Sequence, residues 1–143
     1  MLNYSYEYPR PAVSADIAVF RKAGQNLEIL LIRRKNPPFQ GMWALPGGFM
    51  EINETLEETA ARELEEETGL KNIDLKQFKT FSNVDRDPRT RVVTTVFYGM
   101  VTMENSTAKG GDDAEKAEWF PLDKLPKVGF DHGKIISDLT GYL

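Results

Sequence analysis

Cysteine is absent from the 143 residues, so neither a disulfide nor a thiolate metal centre can form. Histidine occurs once, as His132. No apolar run approaches the length needed to span a bilayer. The opening MLNYSYEYPRP has neither a basic start nor an apolar core, so it does not read as a secretory signal, and the cytoplasm is the expected compartment. No internal repeat and no linker-like stretch breaks the chain, which predicts a single domain over residues 1–143. A net charge of -4 gives no basic face for a nucleic-acid partner. It still admits an anionic small molecule, because bound cations invert the local field. With 41% hydrophobic and 28% charged residues, the composition is that of a soluble globular protein.

The stretch that is present and unusual is residues 48–70, GFMEINETLEETAARELEEETGL. Thr55 followed three positions later by Glu58 is a capping-box signature for a helix start. Leu56, Ala60 and Leu64 recur every four residues and predict one apolar stripe. Gly69 stands where a helix ends, since glycine enters the left-handed conformation without steric penalty. Glu63, Glu66 and Glu67, at i, i+3 and i+4, place three carboxylates on one side of the last turns. There they meet the negative end of the helix dipole, a conflict that a hard divalent cation with oxygen ligands would remove. Arg62 can hold a carboxylate through its planar fork, and Glu54 in the preceding loop is a candidate partner. A solvated acidic face is the plain alternative for most Glu-rich helices. The fixed spacing weighs against it: seven specified positions coincide by chance about once in 10^8 windows.

The spacing Gly48, Glu54, Arg62-Glu63-Leu64, Glu66-Glu67, Gly69-Leu70 resembles the Nudix box, G-x5-E-x7-R-E-U-x-E-E-x-G-U with U aliphatic, and every specified position is filled. The approach W-x-L-P-G-G at residues 43–48 is similar as well. The resemblance implies a Nudix fold, an α+β arrangement of αβα layers with a mixed β-sheet packed between helices. It implies magnesium, with manganese as a substitute, held by Glu63, Glu66, Glu67 and the carbonyl of Gly48, while Glu54 and Arg62 brace the site. The reaction implied is hydrolysis of a nucleoside diphosphate linked to another moiety. The water-activating base is left between Glu63 and the loop before the late W-F strand, where Asp112, Asp113 and Glu115 are offered and Asp113 is favoured.

Three further stretches, YPRPAV at 8–13, DRDPR at 85–89 and GFDH at 129–132, resemble ADP-ribose pyrophosphatases. They imply cleavage of ADP-ribose to AMP and ribose 5-phosphate. An oxidised nucleoside triphosphate is the rival substrate, and an ADP-ribose-sensing regulator the non-catalytic alternative. The regulator would carry a DNA-binding domain, for which no room is expected after residue 143. Arg33, Arg86, Arg89 and Arg91 are candidate contacts for phosphate or the terminal ribose, since arginine suits phosphate recognition. Gly47, in a tight turn Pro46-Gly47-Gly48, is a candidate for close backbone approach to substrate. Asp131 and His132 either shape the pocket or, for His132, cap the last helix. A homodimer is left open.

Elsewhere strands are expected at Val13–Phe20, Leu27–Arg33, Trp43–Leu45, Ile73–Ser82, Arg91–Met103 and Ala117–Phe120. Leu122–Leu125 is expected as a turn or short helix. A terminal helix is expected at Asp131–Tyr142, with Ile135, Ile136 and Leu139 as its stripe. Tyr4, Tyr6 and Tyr8 alternate, which predicts an extended arm with one face packed on the core edge, or else a stacking surface or dimer contact. The loop 104–115 is expected to be mobile.

Overall fold

The computed structural model describes residues 3–111 and 113–143. The chain runs β1 (Ala12–Ala23), β2 (Asn26–Arg34), β3 (Trp43–Ala44), β4 (Gly47–Phe49), α1 (Leu56–Thr68), β5 (Lys76–Phe81), β6 (Val92–Val101), a short 3-10 turn at Met103–Asn105, β7 (Ala114–Pro121) and α2 (His132–Tyr142). The main sheet has the order β3-β2-β1-β6-β5, with β4 added to β1 and β7 to β2. β1 and β6 are parallel, from Ala12 opposite Val92 to Arg21 opposite Val101, and the other pairings are antiparallel, so the sheet is mixed.

Strand alternation sends successive side chains of β1 to opposite faces. Ala15, Ile17 and Val19 join Leu30, Phe97 and the α1 residues Ala60 and Leu64 in one core. Ala18 and Phe20 join Ile29, Leu31, Val96 and the α2 residues Ile135, Ile136 and Leu139 in the other. The sheet is therefore sandwiched between the two helices. Both expected apolar stripes are the ones that dock.

The α1 boundaries follow from its caps. The Thr55 hydroxyl accepts the Glu58 N–H at 3.2 Å, and Glu58 Oε1 accepts the Thr55 N–H at 2.8 Å. Gly69 closes the helix at φ 79°, its N–H donating to the Glu65 carbonyl.

Four expectations need correction. Pro46-Gly47-Gly48 is not simply a turn, because Gly47 and Gly48 enter β4 and pair with Asp16 and Ala15. A Cβ on Gly47 would collide with the Ala15 carbonyl and the Asp16 carboxylate, so only glycine allows that pairing. Residues 73–75 lie outside β5 because they cross over Gly99, where a Cβ would meet the Asp74 carbonyl at 2.8 Å. The tyrosine arm does not pack: Tyr4, Tyr6 and Tyr8 are 53%, 47% and 71% exposed, and the Arg10 guanidinium lies over the Tyr6 ring. Among the described residues of the 104–115 loop, Ser106 and Lys109 are fastened rather than loose. Trp119 Nε1 donates to the Ser106 carbonyl, Arg21 donates to the Ser106 hydroxyl, and Lys109 N–H donates to the carbonyl of Thr68 at the end of α1.

Candidate active site

The end of α1 divides its three carboxylates by depth. Glu67 falls on the buried face with Ala60, Leu64 and Thr68, Glu63 is half-buried, and Glu66 is exposed. The three glutamates thus fan outward from the core rather than sharing one surface. Glu67 Oε1 accepts the Gly47 N–H at 2.7 Å, which ties the helix to β4. Burial pushes the Glu67 carboxyl up to about 8 against the opposing Gly47 hydrogen bond, and the charges of Glu63, Asp16 and Asp113 add to the rise. A Cβ on Gly48 would fall on the Glu63 carboxylate, so the absence of a side chain at 48 is what lets that carboxylate sit against the β4 backbone.

Arg62 organises the outer part. Its Nε and Nη2 donate to the two oxygens of Glu54 at 3.0 and 2.6 Å, a bidentate clasp. Its Nη1 reaches Glu63 at 2.8 Å and Glu66 at 3.3 Å, and Nη2 also donates to the Phe49 carbonyl. Glu54 further accepts from the Glu51 N–H and the Thr59 hydroxyl. The Arg62 hydrogen bond holds the Glu54 carboxyl down at about 2, and the same pairing raises Arg62 above its ordinary value. Loop 49–54 is thereby locked to the helix.

Against this edge opens a cleft of about 450 Å³. Gly47, Gly48 and Glu67 line it together with Asp16 and His132, and Phe49, Phe130, Arg34 and Arg89 also border it. Phe130 has a left-handed backbone, φ 54°, and its ring packs at a tilt of 58° against that of Phe39, also left-handed at φ 60°. Strained residues of this kind cluster where a ligand site fixes their geometry. The Arg89 guanidinium stands 5.2 Å from the Phe49 ring and 5.5 Å from the Phe130 ring.

Of the arginines singled out by sequence, Arg86 and Arg89 line the cleft, and both are already engaged. Arg86 is buried and makes a bidentate pair with Asp131, at 2.9 and 2.8 Å. Arg89 makes the same kind of pair with buried Asp87, at 3.0 and 2.7 Å. Within the 85–91 loop Arg86 and Asp87 are buried and line the cleft with Arg89, while the other residues are exposed. Arg33 and Arg91 are not among the lining residues: Arg33 donates to the Gly41 carbonyl and pairs with Glu115, and Arg91 donates to the Asn83 carbonyl. Its neighbour Arg34 is the β2 arginine on the cleft, held by the Pro38 carbonyl at 2.7 Å. Burial lowers its pKa.

Of the acids in the late loop, Asp112 lies outside the described residues. Asp113 is exposed, accepts from Asn36 Nδ2 at 3.4 Å and lies close enough to Glu67 to raise its pKa. Glu115 is taken up with Arg33. His132 does not cap α2. Asp131 holds the N-cap position, while His132 Nδ1 accepts the Leu45 N–H at 2.9 Å.

Sequence reading misses Asp16; Arg34 stands with Arg33 as a phosphate candidate at the end of the second strand, and Asp87 and Phe130 stand within DRDPR and GFDH without a role of their own. Asp16 left a signal, since a lone carboxylate inside VSADIAVF is costly to bury without a purpose. Which of the adjacent Arg33 and Arg34 faces the cleft depends on strand register, and that the sequence does not announce.

The donor set at the α1 end suits a hard divalent cation, being made of carboxylates and a backbone carbonyl. Among the described residues no three acidic side chains are already grouped as a ligand cage. Arg62 instead spans Glu54, Glu63 and Glu66. The buried, raised Glu67 and the side-chain-free Gly48 are what fit such an ion.

The NUDIX domain model matches residues 10–139. The chain belongs to the NUDIX family. Among curated relatives, an ADP-ribose pyrophosphatase of Methanocaldococcus jannaschii is 47% identical over 92% of this chain and 74% of its own length. Among solved structures, the NUDIX domain of Shewanella oneidensis NrtR in complex with ADP ribose superposes with a TM-score of 0.88 at 29% identity, covering 98% of this chain and 94% of that one. A bifunctional NMN adenylyltransferase/ADP ribose pyrophosphatase of Francisella tularensis, complexed with AMP and a manganese ion, superposes at 0.81 with 29% identity, over 96% of this chain and 43% of that one. The Nudix fold is thus confirmed, and no helix among the described residues is long and apolar enough to cross a membrane.

Proposed function

We propose that this Nudix chain hydrolyses ADP-ribose to AMP and ribose 5-phosphate with a divalent cation, magnesium by preference and manganese as a substitute. The observation that carries the reading is the buried Glu67 carboxylate, pushed up to about 8 beside Glu63 and against the β4 backbone. Such a group awaits a positive charge. The resemblance to an ADP-ribose pyrophosphatase supports the choice of substrate.

Glu63, Glu66, Glu67 and the Gly48 carbonyl would hold the ion. When bound, it neutralises phosphate charge and lowers the pKa of water. The chain's own residues do the rest. Glu54 takes the Arg62 clasp, which keeps Glu63 and the 49–54 loop in register with the helix. A water oxygen attacks one phosphorus, the bridging P–O bond breaks, and the water proton passes to a carboxylate. Asp113 is the favoured base, since the Glu63 carboxylate is committed to Arg62 while Asp113 is exposed on the neighbouring loop. Arg34 and Arg89, which line the cleft, would meet substrate anions, with Arg34 rather than Arg33 as the β2 contact.

The test is a substrate panel with purified protein and magnesium, following AMP and ribose 5-phosphate. Turnover of ADP-ribose ahead of nucleoside triphosphates is the expected result. Preferential turnover of an oxidised triphosphate, with ADP-ribose untouched, would overturn the substrate.

A further inference from the structure

Two groups that line the cleft beside Gly47 have no part in the hydrolysis proposed above. Asp16 is only 7% exposed yet borders the cleft. Its Oδ2 accepts the Thr94 hydroxyl at 2.7 Å, and Arg86 Nη2 lies 3.8 Å from the same oxygen. Arg86 cannot swing away, because Asp131 grips it from the other side. The carboxylate plane of Asp16 is therefore set. Oδ1 stands 3.6 Å from His132 Nε2, beyond hydrogen-bonding distance.

His132 is set just as firmly. Nδ1 accepts the Leu45 N–H, so the neutral ring carries its proton on Nε2. An acceptor, Oδ1, and a donor, Nε2–H, thus stand side by side on one wall of the cleft. A buried group left without its hydrogen bond costs about 1–3 kcal/mol, so a bound ligand that shuts out water has to supply both partners.

We propose that Asp16 and His132 form a specificity-determining pair that reads one donor–acceptor group of the ligand, Oδ1 accepting from it and Nε2 donating to it. The proposal rests on the ADP-ribose reading. A phosphate has no donor for Oδ1 and is repelled by its charge. The group read by this pair is therefore an uncharged part of the ligand. In ADP-ribose two groups have the required chemistry: the adenine edge, with its amino donor beside a ring-nitrogen acceptor, and a ribose hydroxyl, which both donates and accepts.

Calorimetric titration in EDTA, where turnover is suppressed, separates these. The ligands are ADP-ribose, inosine diphosphate ribose, in which the base edge has its donor and acceptor exchanged, and ADP-ribose analogues deoxygenated on one ribose or the other. Wild-type protein is expected to bind ADP-ribose roughly tenfold to hundredfold more tightly than one of the analogues, the range set by one unmade buried hydrogen bond. The analogue that loses affinity names the group that is read. Asp16→Asn is expected to bring the ratio within about threefold, the scatter of a single mutational effect. His132→Gln reads the same contact from the donor side and serves should Asp16→Asn not fold. A common loss for every ligand in both variants, or no loss at all, would overturn the pair and leave the functional reading standing. Failure of wild-type protein to bind any of the ligands, with no ADP-ribose turnover, would overturn both.

Discussion

Glu67 sits at 6% exposure with its carboxyl pushed up to about 8, so near neutral pH the fold without metal carries the cost of holding protonated a group that ionises in the unfolded chain. Replacing it with glutamine keeps the shape and removes the charge. The melting temperature of metal-free Glu67→Gln is therefore expected to equal or exceed that of wild type, while magnesium-dependent turnover falls at least about 100-fold, as loss of a metal ligand implies. Wild-type turnover in this variant would refute the metal site. Gly48 offers a complementary substitution. An alanine methyl there would occupy the place of the Glu63 carboxylate. Gly48→Ala is expected to lower kcat about tenfold or more, since small displacements of catalytic groups are costly, and to leave far-ultraviolet circular dichroism unchanged. An unchanged kcat would show that Glu63 works from another position.

Among the elements, α1 is where sequence and structure agree most fully, because its signals are local. The capping box, the apolar stripe and the terminal glycine each involve residues within one or two turns, and each forms as read. Thr55→Ala removes one arm of the box and is expected to cost about 1 kcal/mol, a fall of about 4 °C in melting temperature. A shift under 1 °C by calorimetry would mean that packing alone fixes the helix start. What the sequence concealed is what depends on distant partners. Asp131, Arg86 and Asp16 meet from α2, the 85–91 loop and β1, and no spacing along the chain announces that union. Likewise β4 is too short to show alternation, and its pairing rests on two glycines fitting under β1. The tyrosine arm alternates as a strand would but has no neighbouring strand to pair with, so its periodicity predicted packing that does not occur.

At the scale of the whole molecule, the solitary histidine allows a clean test of pH response. Burial lowers the pKa of His132, outweighing the opposing charges of Asp16 and Asp131. A depressed value means that the unfolded chain takes up the proton more readily than the native one. Stability from this group is complete above about pH 6.5 and is lost as pH falls below it, by up to about 1.4 kcal/mol per pH unit for one proton. Chemical denaturation at pH 7.5 and 5.5 is expected to show wild type losing about 1 kcal/mol more than His132→Asn, which keeps an acceptor for the Leu45 N–H. Equal losses would place the pH response in the carboxylates instead.

The parallel pairing of β1 with β6 has a further consequence, for the order of events during folding. Ser14 and Asp16 pair with β4 on one side, but their second neighbour comes only when strand residues 92–96 arrive, and His132 follows later still. Such long loops close slowly, so β1–β2 and the α1 caps can form early while the cleft waits. On a growing chain the catalytic helix would be in place well before the wall that recognises substrate, and a nascent Nudix domain is expected to remain blind to its ligand until its last helix has docked.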